Sequence, residues 1–226
     1  MKKKESVVKL LSRRRLAVRR ILIASAVYVL ITYFVGFGIL FPRQSLYMNE
    51  ELMGTGRTHV IARYTAPEIY KTLQIYFSEN EHVTMLSGTH LTYLGWMNAF
   101  GVPVDCSKEA PMYAGQWWLY RQDKGYVLYI FGRVDDPEIA YVEVEMQYEA
   151  PPPPGGQGSY RLTTHTVSSQ RSEWIEKNGR SYFLIRELPE EWPYEFSIYP
   201  AVVGYNADGT EVIRLEDIEG ASSYYG

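Results

Sequence analysis

Tyr126-Val127-Leu128-Tyr129-Ile130-Phe131 is apolar at every position and is bounded by Asp123-Lys124-Gly125 on one side and Gly132 on the other. Successive side chains of a strand point to opposite faces, so a strand apolar on both faces needs cover on both. The segment therefore predicts an inner strand of a layered β-domain. Its neighbour behaves differently: Val142, Val144 and Met146 alternate with Glu143, Glu145 and Gln147, which predicts a half-buried strand with one wet face.

Working outward, short aromatic and branched runs bounded by Gly, Asp and Lys recur at Val83–Leu86, His90–Trp96, Gln116–Arg121 and Tyr126–Val134. They continue at Arg161–Val167, Tyr182–Leu188, Tyr194–Tyr199, Ala201–Tyr205 and Glu211–Leu215, with Asn206-Ala207-Asp208-Gly209 as the hairpin loop before the last. Strands at spacings of about ten residues predict an antiparallel β-sandwich or barrel. Residues 113–220 have the length of an immunoglobulin-like sandwich, although the Cys…Trp…Cys signature is absent. Ala150–Gly158, APPPPGGQG, reads as an exposed loop within the sandwich. Residues 221–226 read as a disordered tail.

Between the sandwich and the N-terminus, residues 42–112 read as a connector with the first strands, including one at Thr58–Tyr64. One short amphipathic helix is expected here, at about residues 66–79. Thr65-Ala66-Pro67-Glu68 fits a capping box, and Ile69, Leu73 and Tyr76/Phe77 follow at helical spacing.

Ile21 to Phe41 is a run of twenty-one residues without a charge. As a helix it would extend about 31 Å, against about 30 Å for a hydrocarbon core. Nine cations (Lys2, Lys3, Lys4, Lys9, Arg13, Arg14, Arg15, Arg19, Arg20) precede it, and only Arg43 and Arg57 follow within twenty residues. The positive-inside rule then predicts a single-pass transmembrane signal anchor at 21–41, with the basic segment 1–20 in the cytoplasm and the C-terminal domain extracytoplasmic. The apolar core is longer than that of a cleaved signal peptide.

The net charge of −3 conceals two opposite parts: +8 over residues 1–41 and −11 over the remaining 185. The acidic part argues against nucleic acid as a partner and favours solubility or a cationic partner. The single cysteine, Cys106, excludes an intramolecular disulfide, and none of the five asparagines starts an N-x-Ser/Thr sequon. Both observations favour a bacterial envelope over a eukaryotic secretory route.

The stretch Phe131-Gly132-Arg133-Val134-Asp135-Asp136-Pro137-Glu138-Ile139, then Val142-Glu143-Val144, Tyr182-Phe183-Leu184-Ile185 and Tyr205-Asn206-Ala207-Asp208-Gly209, resembles a β-domain of uncharacterised membrane-anchored extracytoplasmic proteins of Gram-positive bacteria. The resemblance covers roughly half the chain. It implies location and fold and carries no catalytic residues.

Tests for chemistry return little. His82 and His90 are expected on either side of a hairpin, without HExxH, CxxC or a carboxylate pair, and His59 and His165 stand apart. Asp105-Cys106 lacks the context of a thiol nucleophile, and the cysteine reads as a small buried residue. Asp135, Asp136 and Glu138 read as a strand break, and Asn206–Gly209 fails the calcium-loop template because Gly204 and Leu215 fall at its first and last ligand positions. No catalytic residue, metal or cofactor is assigned. The binding candidates are Trp117 and Trp118, adjacent aromatics of which a strand buries one and leaves the other more exposed.

The expected function is a membrane-anchored, non-catalytic interaction module of the bacterial envelope, binding a protein partner or a cell-wall polymer. Two alternatives stand beside it: a regulator acting through its short basic cytoplasmic segment, and an envelope enzyme.

Overall fold

Among the described residues the chain forms two α-helices, one short 3-10 turn at Arg171–Glu173 and thirteen strands. The computed structural model describes residues 2–35, 41–67, 69–93, 95–121, 125–150, 161–187, 199–216 and 218–225. The helices are α1 (Lys2–Val35) and α2 (Pro42–Leu52). The strands are β1 (His59–Thr65), β2 (Gln74–Glu79), β3 (Val83–Thr92), β4 (Gly95–Asp105), β5 (Met112–Arg121), β6 (Gly125–Val134), β7 (Tyr141–Ala150), β8 (Arg161–Gln170), β9 (Ile175–Lys177), β10 (Arg180–Glu187), β11 (Tyr199–Tyr205), β12 (Glu211–Leu215) and β13 (Glu219–Tyr225).

Three sheets result. The first is the meander β1-β2-β3-β4, the second has the order β13-β5-β6-β10-β9, and the third β12-β11-β7-β8. From β5 onward successive hairpins alternate between the second and third sheets, and β13 returns to the second, parallel to β5.

The inner strand expected at 126–131 is β6, at the centre of the second sheet. Its Val127, Tyr129 and Phe131 enter a core shared with Ile75, Phe77, Leu86 and Val102 of the first sheet. Its Leu128, Ile130 and Val134 enter another core, shared with Val142, Val144, Met146 and Val202 of the third. The second sheet is therefore the middle of three layers. Burying each such side chain contributes about 1.5–3 kcal/mol, so both faces of β6 hold the domain together. The alternation in β7 is met as well, with Val142, Val144 and Met146 fully buried.

Two close approaches depend on missing side chains. A Cβ on Gly88 would overlap the ring of Phe100, its cross-strand partner on β4. On the outer face of the first sheet, Gly101 leaves room for α2, whose Asn49 Nδ2 donates to the Phe100 carbonyl at 2.7 Å.

Several expectations need correction. No helix spans 66–79. Ala66–Leu73 is a turn in which the Ile69 and Tyr70 amides both donate to the Ala66 carbonyl, and residues 74–79 are β2. Ile69 and Leu73 are buried from the turn, while Tyr76 and Phe77 belong to a strand buried on both faces from Ile75 to Glu79, and the two sets together imitate helical spacing. Glu68, the other half of the expected capping box, lies outside the described residues. The short helix is α2 instead, within the expected connector, with Pro42 in its first turn where a missing N–H costs little.

The expected disordered tail is β13, paired from Glu219↔Gly115 to Tyr225↔Arg121. Residues 59–105 are the first sheet and pack on the sandwich through the shared core. The loop at 151–158 lies outside the described residues, but Ala150 pairs with Arg161, so the segment joins two strands of one sheet. The expected strand at Tyr194–Tyr199 lies outside the described residues except for Tyr199, which opens β11.

In α1 every residue from 13 to 31 is exposed. Among the described residues, no helix is long and apolar enough to cross a membrane. The helix carries the run from Ile21 to Val35, and residues 36–40 lie outside the described ones.

Phe77 meets Phe131 and Tyr182 edge-on, at ring separations of 5.8 and 5.9 Å, and joins the first two layers. Phe77→Ala is expected to lower stability by about 3–5 kcal/mol, read from the denaturant midpoint of the full chain. Gly88→Ala, which sets a methyl against the Phe100 ring, is expected to cost about 1–3 kcal/mol in the same measurement.

Candidate functional site

A groove of about 780 Å³ opens where the chain enters the β-domain. It is lined by Phe41, Pro42 and Arg43 at the start of α2, by His59, Val60 and Arg63 of β1, by Tyr76 of β2, and by Lys177 and Asn178 after β9.

Local structure places each of these groups. Arg63 stands directly across from Tyr76 in the β1–β2 register, with its guanidinium 5.9 Å from the ring centre. The register slips between Val60 and Ala62, a bulge that turns the start of β1. Asn178 and Gly179 both take left-handed backbone, φ 55° and 75°, as a two-residue hairpin turn requires. That turn presents Lys177, whose ammonium donates to the Val60 carbonyl at 2.6 Å. Arg43 lies 5.8 Å from the ring centre of Tyr47, one turn along α2.

The frame behind the groove is held by a buried carboxylate. Glu50 is 1 % exposed and accepts from the Thr58 amide at 2.9 Å, the Thr58 hydroxyl at 2.6 Å and Arg57 at 3.1 Å. Asn80 Nδ2 donates to the Thr55 carbonyl at 2.9 Å. These bonds tie the segment between α2 and β1 to both elements, so the two walls are fixed relative to each other.

Its electrostatics are one-sided. Elsewhere Arg57, Arg133, Arg171, Arg180 and Arg214 each meet a carboxylate. Arg43, Arg63 and Lys177 meet none among the described residues. Burial pushes the Tyr76 hydroxyl up, and Arg63 and Arg43 pull against it, so both guanidinium groups act at the groove floor. The first turn of α2 has no side-chain cap and adds the partial positive charge of a helix N-terminus. The arrangement suits an anion.

The expected aromatic candidates lie elsewhere. Trp117 is fully buried, stacked on Phe100 at 3.4 Å and near Tyr129 at 5.2 Å, so it is core and not a binding surface. Trp118 is half-buried on the opposite face against the second core, and its indole N–H donates to Gln116 at 2.7 Å. The opposite-face expectation holds.

His82 precedes β3 and His90 lies near its far end, so they belong to the two ends of one strand and not to the two sides of a hairpin. His165 approaches Glu187 at 3.8 Å, and His59 lines the groove. Cys106 is buried, with Sγ 3.5 Å from the Thr84 hydroxyl, and burial pushes its thiol up, the reverse of nucleophile activation. Asp135 pairs with Arg133 at 2.7 Å, and Asp136 accepts from the Glu138 amide. Asn206 Oδ1 accepts from the Asp208 and Thr210 amides, and Gly209 has φ 79°, which makes the segment a turn. Among the described residues no three metal-ligating side chains converge.

The sequence reading missed the groove because its cations stand far apart in the chain. Asn178-Gly179 was its one local signal. Compared with models of protein families, with curated proteins and with solved structures, the chain matches none.

His90 faces Tyr70 edge-on at 5.3 Å, and burial holds its pKa below the ordinary 6.5. The unfolded chain then takes up a proton that the folded chain refuses. Stability contributed here is fully present above pH 6.5 and falls as pH drops from there through the depressed folded value. His90→Gln is expected to flatten that slope in denaturation midpoints measured from about one unit above to about one unit below the ordinary histidine value.

Proposed function

We propose that the chain is a single-pass, membrane-anchored β-module of the bacterial envelope, which holds a protein partner or a wall polymer close to the bilayer without catalysing a reaction. The observation that carries this reading is the surface of α1. Ile21, Leu22, Ile23, Val27, Leu30 and Ile31 are each between 47 and 64 % exposed, and they lie on all sides of the helix. A soluble domain rarely presents so continuous an apolar surface to water, whereas hydrocarbon is its natural solvent.

The charge pattern supports the orientation. The basic segment before Ile21 belongs on the cytoplasmic side, which sets the acidic β-domain outside. Phe41 continues the apolar run to the lip of the groove, so the domain follows the anchor directly.

Membranes carrying the full chain are expected to retain it through alkaline extraction, and protease added outside intact cells should digest the β-domain. Val27→Arg with Leu30→Arg places two charges near the middle of the run, at about 2.5–3.5 kcal/mol each, and should release the chain into the soluble fraction. Wild-type chain extracted by alkali would end the proposal.

A further inference from the structure

We infer that the groove at the start of α2 holds the phosphate of an anionic membrane lipid, clamping the β-domain onto the bilayer; this deepens the membrane-anchored reading and rests on it. The first argument is charge. Outside the N-terminal forty-one residues, acids outnumber cations 25 to 14, so carboxylates are in excess. Five arginines of the domain have found one. Arg43 and Arg63 have not, and together with Lys177 they surround a single groove. Cations that gather without carboxylates in an acidic domain are arranged for an anion from outside the chain.

The second argument is the character of the walls. Phe41, Pro42 and Val60 stand beside the three cations, and Phe41 is 62 % exposed. A soluble phosphate has no use for apolar walls. A phospholipid does, because the phosphate and the first carbons of its chains are held together in one molecule. Two guanidinium groups offer paired donors to phosphate oxygens, the ammonium offers a point charge, and the start of α2 adds the partial positive charge of a helix N-terminus.

Position is the third argument. Phe41 follows Val35, the last described residue of α1, by six positions. Even fully extended, that link spans at most about 21 Å, less than the thickness of a bilayer. The groove is thus confined to the neighbourhood of the headgroups when α1 spans the membrane. Its volume of about 780 Å³ accommodates a headgroup with its glycerol.

The test uses the full chain purified in a non-ionic detergent, titrated calorimetrically with dihexanoyl phosphatidylglycerol, dihexanoyl phosphatidylcholine and glycerol 1-phosphate. Phosphatidylglycerol should bind once per chain and weaken with added salt, with the other two at least about tenfold weaker. Arg43→Gln with Arg63→Gln, both exposed positions, should weaken it about tenfold or more, and Lys177→Gln separately should do so as well. Lys71→Gln, exposed and away from the groove, should leave binding unchanged, and it and the double arginine variant should share the wild-type denaturation midpoint. Equal binding of phosphatidylcholine, or binding indifferent to the double substitution, overturns the inference. Glycerol 1-phosphate binding as tightly as the lipid also overturns it and gives the groove to a soluble phosphate or a wall-polymer phosphodiester. Binding in detergent does not require α1 to cross a bilayer, so failure here is distinct from failure of the alkaline extraction.

Discussion

Everything in the β-domain depends on one sheet being covered twice. β6 has no face to give to water: Tyr129 and Phe131 are buried toward the first sheet, Leu128 and Ile130 toward the third. A two-layer sandwich would leave one of these rows exposed, at about 1.5–3 kcal/mol for each large side chain. The meander β1–β4 supplies the missing layer. It is a structural necessity for the middle sheet, and it also carries the groove on its first two strands. The same demand explains the small residues on the middle sheet. Gly115 and Gly132 face opposite cores, and a Cβ at either would strike a Phe ring.

What was legible in the sequence was what is local. The both-sided apolarity of 126–131, the alternation at 142–147 and the Asn206–Gly209 turn each express themselves within a few residues, and each appears in the fold as read. The errors arise where burial comes from elsewhere. The buried side of α2 includes Ser45, Asn49 and Glu50, polar groups satisfied or covered by tertiary contacts, so hydrophobic periodicity had nothing to register. In the false helix at 66–79, a turn that buries Ile69 and Leu73 and a strand buried on both faces, Tyr76 and Phe77 included, add up to a helical pattern. The β13 strand finds its partner about a hundred residues back, in parallel, and its Gly-Ala-Ser-Ser sequence carries no strand signal of its own.

The groove was illegible for a related reason. Arg43, Arg63 and Lys177 are ordinary surface cations when read one at a time. Their meaning lies in convergence and in what they lack, and both follow only once the β9–β10 turn is folded beside β1. Aromatic residues were the conspicuous alternative in the sequence. Trp117 shows why conspicuous residues mislead: its size makes it valuable to a core, and the flat stack with Phe100 spends it there.

The separation of charge across the layers gives this arrangement a direction. The cationic groove lies on the start of α2, on β1 and on the β9–β10 turn. On the third sheet, beyond the middle layer, Glu143 and Glu145 sit on the wet face of β7, and Glu145 shares Arg214 with Glu211. A domain basic at this groove and acidic on its far layer is oriented by its own charges near any anionic surface, since the groove side is attracted and the far side repelled. Near such a surface the third sheet, with Glu143 and Glu145 on β7 and Glu211 on β12, faces away from it.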